Sequence, residues 1–158
     1  MHSFLLWLQG TSLATVIAEA TWLFPIIETL HVIGLALAVG SILSFDLRVL
    51  GLGWKARALA TLNRDILPWT WAGFLLALTT GLLMFASAAE RYAANPLFLV
   101  KIGLLLLAGL NAAIFHLHPH HRRFATEQHL SPILKASATA SLTLWVGTIV
   151  LGRWIGFV

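Results

Sequence analysis

Four long apolar runs, separated by short polar stretches, set the frame of this chain. They cover residues 25–50, 66–89, 95–117 and 132–156, and each supplies about the 20 apolar residues that a helix needs to cross a bilayer core. Their ends carry helix-start and helix-stop signals. Pro25 sits in the first turn of the first run, where a missing N–H costs nothing, and Gly51 and Gly53 follow its end. Asn95 before Pro96 reads as an N-cap followed by proline at the first helical position. Trp22, Trp69, Trp71 and Trp154 lie near the run ends, at headgroup level. Residues 3–20 are also apolar but are interrupted by Gln9, Gly10 and Thr11, which suits a short interfacial helix better than a span. The pattern predicts an all-α fold, an integral membrane four-helix bundle with a short N-terminal interfacial helix, in one transmembrane domain over residues 1–158.

Composition agrees. Hydrophobic residues make up 59% of the chain and charged residues 10%, against roughly a quarter charged for an ordinary soluble domain. The mean hydropathy is +0.87. No soluble fold of this length hides so much apolar surface. The sequence pI of about 10.4 does not point to nucleic acid, because the cations are spread among membrane-flanking loops rather than gathered on one polar face. Arg48, Lys55, Arg57 and Arg64 surround the first loop, and Arg122, Arg123 and Lys135 the third. Only Arg91 and Arg153 lie near the opposite interface. This asymmetry predicts a multi-pass membrane protein with the 51–65 and 118–131 loops in the cytoplasm and both termini outside. The first 20 residues hold no Lys or Arg and so lack the n-region of a secretory signal; they are expected to be retained. Cysteine is absent, which excludes disulfides, iron–sulfur clusters, thiol catalysis and covalently attached haem.

Ionisable groups inside spans are costly and by default mark a site. Glu28, His31, Lys101 and His116 qualify. His31 lies about 9 Å past Pro25 and Lys101 about 8 Å past Pro96, at 1.5 Å per residue, so the two are level in the outer half of the bilayer. Glu28 is one turn above His31 on the same face. His116, about 30 Å along the third helix, is instead level with Asp46 and Arg48 and cannot share a metal with His31. One haem bridging the two histidines is therefore excluded within a subunit. A haem on His31 with another sixth ligand or none, and two separate sites, both stay open.

Below His31 come Gly34, Ala38 and Ser41, small residues that let a flat ligand or another helix approach the backbone. A porphyrin placed there gains an axial imidazole, an apolar slot and, from Lys101, a cation for a propionate. Each residue also has a plainer reading. A lone intramembrane histidine often bonds a neighbouring helix, a lysine near a helix start can snorkel to headgroups, and a small-residue stripe is more often helix packing than a cofactor slot. Glu28 can be an interfacial carboxylate, and His116 with Asp46 a structural polar pair. The histidines at 116, 118, 120, 121 and 129 offer imidazoles to a divalent metal, or else simply lie in a basic loop beside anionic lipid.

The segment Leu30-His31-Val32-Ile33-Gly34, continuing through small residues to Phe45-Asp46-Leu47-Arg48, resembles the first helix of HemJ-type protoporphyrinogen oxidases and of the related copper-resistance D-type membrane proteins. Asn95-Pro96-Leu97-Phe98-Leu99-Val100-Lys101-Ile102-Gly103 is similar to the helix that carries the functional lysine of the HemJ family. The chain also resembles a group of uncharacterised bacterial four-helix membrane proteins with an LHxxGLA start, a DLR end to the first helix and a PWTWAGF second helix. The resemblance implies a b-type haem ligated by His31 and a catalytic or cofactor-binding role for Lys101. The stretch from Asn111 to His116 does not match the HemJ pattern.

The leading expectation is a non-covalent haem b protein of a bacterial inner membrane with an electron-transfer or oxidoreductase role, which the resemblance implies to be of protoporphyrinogen-oxidase type, using a redox partner or quinone. Its site would comprise His31, Lys101, Gly34, Ala38 and Glu28, with His116 as a second metal ligand. Rival expectations are a copper-transport or copper-resistance protein, disfavoured by two methionines and no cysteine, and a non-catalytic anchor or assembly subunit. A homo-oligomer is compatible with each.

Overall fold

The computed structural model describes residues 2–53, 57–117 and 131–157, with backbone alone at His116 and Leu117. The described residues form seven α-helices: α1 (His2–Gln9), α2 (Ser12–Glu19), α3 (Leu23–Val49), α4 (Leu59–Ser87), α5 (Ala89–Ala94), α6 (Pro96–Leu117) and α7 (Pro132–Trp154), the last ending in a 3-10 turn over Ile155–Phe157. Four of them, α3, α4, α6 and α7, are long and apolar enough to cross a membrane.

The helix boundaries follow local chemistry. At the end of α3, Gly51 takes φ +78°, while Leu52 N donates to Leu47 O at 2.9 Å and Gly51 N to Arg48 O at 3.1 Å. This closes the last carbonyls in a Schellman motif, for which a left-handed glycine is the favoured residue. At the start of α6, Asn95 Oδ1 accepts from Leu97 N at 2.9 Å, which is the N-cap read from the sequence. Asn95→Ala should lower stability by about 1 kcal/mol, seen as a modest fall in the thermal midpoint of the detergent-solubilised protein.

Two boundaries differ from expectation. Helix α4 begins seven residues before the expected 66, because Leu59 and Leu62 are buried and extend the helix past its apolar run. The segment 3–20 is not one helix but two, broken at Gly10. Thr11 caps the second through its hydroxyl, which accepts from Ala14 N. At eight residues, or about 12 Å each, neither can span a bilayer. Helix α1 packs on α5 and α4, and α2 on α4. His2 Nδ1 meets Glu90 Oε1 at 2.9 Å, and Gln9 Oε1 accepts from Glu90 N at 3.4 Å, tying α1 to α5.

The long helices run alternately up and down. We call the end where α3 and α6 begin the terminal face, and the opposite end the loop face. The tightest pairs are α3 with α4 and α6 with α7, joined through α3 and α7. Toward the loop face all four helices meet in a cluster of Phe45, Val49, Leu59, Phe115, Leu134 and Ala138, with Phe45 edge-on to Phe115. Midway, Val39, Ala108 and Trp145 form a second cluster. Outward-facing positions are apolar instead, among them Leu75, Leu82, Leu106, Leu107, Ile149 and Val150, as lipid-facing surfaces require.

Candidate functional site

The site begins with the α3–α4 crossing. A Cβ added at Gly34 would lie 2.7 Å from Ala77 N and 2.9 Å from Gly73 O; one added at Gly73 would lie 2.5 Å from Ala38 N and 2.7 Å from Gly34 O. The helices thus touch backbone to backbone through Gly34 and Ala38 on α3 and Gly73 and Ala77 on α4, a four-residue spacing of small side chains on each. The face that sequence reasoning offered to a flat ligand is filled by α4. Gly34 and Ala38 are therefore corrected from slot-lining to helix-packing residues, since no ring can enter where a methyl group cannot.

This close approach positions His31, one turn toward the terminal face. Its Nδ1 lies 2.8 Å from Ala77 O and 3.1 Å from Thr80 Oγ1. A carbonyl only accepts, so Nδ1 carries the proton. Thr80 already donates its own hydroxyl to Leu76 O at 2.6 Å and turns a lone pair to the ring. Two acceptors on Nδ1 fix the tautomer and leave Nε2 of the neutral ring with a free lone pair. Among the described residues Nε2 has no hydrogen-bond partner. The ring rests on Gly81, whose absent Cβ would come within 3.0 Å of His31 Cε1.

Lys101 reaches the same level from α6. Its side chain lies across Gly152 on α7, with Nζ 3.3 Å and Cε 3.5 Å from where a Cβ would be. Lys101 and Glu28 are the charged groups that act through space on the imidazole, so both stand in the neighbourhood of His31, with Glu28 one turn nearer the terminal face. Lys101 and Glu28 are not an ion pair, and the described residues give Lys101 no carboxylate partner. Glu28 is exposed. Tyr92 of α5, also under the influence of Glu28, joins Phe85 and Phe98 in an aromatic cluster that lies one helical turn from Lys101.

Sequence reasoning missed Ala77, Thr80, Gly81 and Gly152, which hold the two polar side chains. A signal for the first group was present: Gly73, Ala77 and Gly81 recur every four residues and so line one face of α4. The His116 side chain, and His118, His120, His121 and His129, lie outside the described residues. Asp46 is buried near the loop face, far from His31 along α3. Among the described residues, no group of three or more His, Asp or Glu side chains converges to hold a metal ion.

Fold and surface together define an all-α membrane helical bundle with a polar cluster near its terminal face. The chain belongs to a family of unknown function, DUF6644, whose model matches residues 4–158. No curated protein and no solved structure matches it.

Proposed function

We propose that this protein is a b-type haem-binding membrane protein in which His31 is the axial ligand through Nε2. The observation that supports this most is the fixed tautomer. Metal-ligating histidines characteristically donate their other ring N–H to a carbonyl or similar acceptor, which orients the ring and raises its basicity, and Ala77 O and Thr80 do this for His31. The donor set fits the protein side of a haem: one neutral imidazole, a cation in Lys101 with no carboxylate partner among the described residues and so suited to a propionate, and no thiol. The small-residue face of α3 does not fit a macrocycle, so the ring plane is not assigned to it.

A bound haem would supply one-electron chemistry. The chain's own residues do the rest. Thr80 and Ala77 hold the imidazole against rotation, Gly81 leaves room for it, and Gly152 lets the Lys101 ammonium lie within the bundle rather than extend straight to the headgroups. In this reading the role is electron transfer or a haem-dependent oxidation with a quinone or protein redox partner, and Lys101 serves as propionate partner or base. The HemJ-like segments around His31 and Lys101 support the same assignment. The protein would sit in a bacterial inner membrane with its terminal face outside, the orientation favoured by the loop-face cations. Copper transport has less support, because the chain holds two methionines and no cysteine for a soft Cu(I) path.

The test is to purify the protein in detergent after expression with excess haem and record its absorption spectrum. A Soret band with about one haem per chain is expected for wild type, lost in His31→Ala and weakened in Lys101→Met. A wild-type protein without the band, or a His31→Ala variant that keeps it unchanged, would sink the proposal.

A further inference from the structure

Helix α7 turns one seam to the interior: Ser131, Leu134, Ala138, Ser141, Trp145, Thr148 and Gly152, at alternating steps of three and four residues, the spacing of one helix face. Three buried side-chain oxygens have no hydrogen-bond partner among the described residues: Ser131 Oγ, Asp46 Oδ2 and Thr148 Oγ1. Ser131 and Thr148 belong to this seam, and Asp46 adjoins it from α3. Ser131 stands at its loop-face end. The Asp46 carboxyl, from α3, faces the Ser141 hydroxyl. Thr148 is 2% exposed and lies one turn before Gly152, on which the Lys101 ammonium rests. From Ser131 to Gly152 the seam covers about 32 Å of helix, the thickness of a bilayer core.

Orphaned buried oxygens are rare and costly, and the membrane interior sharpens that cost. Asp46, 6% exposed, is the extreme case. Among the described residues no Lys, Arg, His or second carboxylate acts on it from α3 or from the helices packed there. Arg48 turns instead to Arg57 O at 3.0 Å, and Asp65 of α4 is paired with Arg57. A buried carboxyl with no counter-charge among the described residues is suited to hold a proton or a cation. With hydroxyls, each able to accept one proton and pass on another, spaced along the rest of the line, the fitting cargo is a proton.

We propose that the α7 seam is a gated transmembrane proton pathway, running from Ser131 through Asp46 and Ser141 to Thr148 and Lys101. Asp46 takes a proton from water at the loop face and gives it up through the hydroxyls and intervening water to solvent at the terminal face; no bond other than O–H and N–H is made or broken, and the membrane potential or pH difference sets the direction. The gate is Trp145. It sits between Ser141 and Thr148, which are about 10 Å apart along the helix, and with Val39 and Ala108 it closes the seam by an apolar plug that excludes water at rest. The pathway does not depend on haem.

Proteoliposomes with a trapped pH-sensitive dye, energised by a potassium diffusion potential, test this directly. Trp145→Ala should raise proton flux at least about tenfold over wild type, equivalent to about 1.4 kcal/mol off the barrier. Adding Asp46→Asn, or separately Thr148→Val, to that variant should return the flux to the level of protein-free vesicles. Monodisperse elution of each variant guards against misfolding, and Ser141→Ala replaces Asp46→Asn if the latter fails that check. A Trp145→Ala flux no greater than that of empty vesicles, or one indifferent to Asp46→Asn and Thr148→Val, overturns the proposal.

Discussion

Gly73→Leu is expected to leave little or no monodisperse protein after detergent extraction. The position has no slack. Even the first added carbon would lie 2.5 Å from Ala38 N and 2.7 Å from Gly34 O, atoms of a helix backbone that cannot rotate aside as a side chain can. Inserting a full side chain forces α3 and α4 apart along their whole contact, and in lipid nothing replaces the lost van der Waals packing, since the tails are as apolar as leucine. Gly73→Ala, the mildest form, should cost on the order of 1–3 kcal/mol, the usual range for overpacking, and lower the thermal midpoint clearly. Gly109→Ala is the contrast, because a Cβ there meets nothing within 4 Å and the midpoint should not fall. Equal behaviour of the two alanine variants would show that the crossing does not carry the fold.

Gly81→Val should abolish the proposed haem site without touching a ligand. The new Cβ falls 3.0 Å from His31 Cε1 and 3.4 Å from Nδ1, and a branched side chain adds methyls beyond it, so the ring must leave its place against α4. Its bonds to Ala77 O and Thr80 then break, and with them the fixed tautomer. Loss of second-shell partners typically costs 10- to 100-fold in metal affinity; displacing the ligand itself should cost about the upper end of that range or more. Haem titration of detergent-solubilised Gly81→Val against wild type measures this. An unchanged affinity would mean that the imidazole pose seen here is not the binding pose. Thr80→Val, which removes one of two acceptors and keeps the shape, should give a smaller loss.

Much of this was legible in the sequence, for identifiable reasons. The four long helices follow from runs of apolar residues, and the Schellman end at Gly51 and the cap at Asn95 from local backbone chemistry. The common depth of His31 and Lys101 follows from counting residues from Pro25 and Pro96, and the electrostatic proximity of the two side chains agrees with it. What the sequence left open was what fills the small-residue face of α3. Gly34 and Ala38 admit a ring or a helix equally well, and only the matching pair on α4, Gly73 and Ala77, decides for the helix. Polar residues inside α4 and α7 are hidden by the same logic: Thr80, Ser141 and Thr148 carry no charge, so they do not stand out from their apolar runs, although Thr80 meets the His31 ring, Ser141 faces Asp46 and Thr148 is buried. The N-terminal segment divides at Gly10 because Thr11 supplies a cap there, where the sequence pattern shows only an interruption.

The central claim is that His31 Nε2 binds haem iron, and chemical rescue tests it most directly. His31→Gly opens a space beside Ala77 O that free imidazole can enter, donating its N–H to that carbonyl as His31 does. The variant expressed with excess haem should lack the wild-type Soret band, and millimolar imidazole should restore it. A His31→Gly protein that shows the full wild-type band without imidazole would contradict the claim.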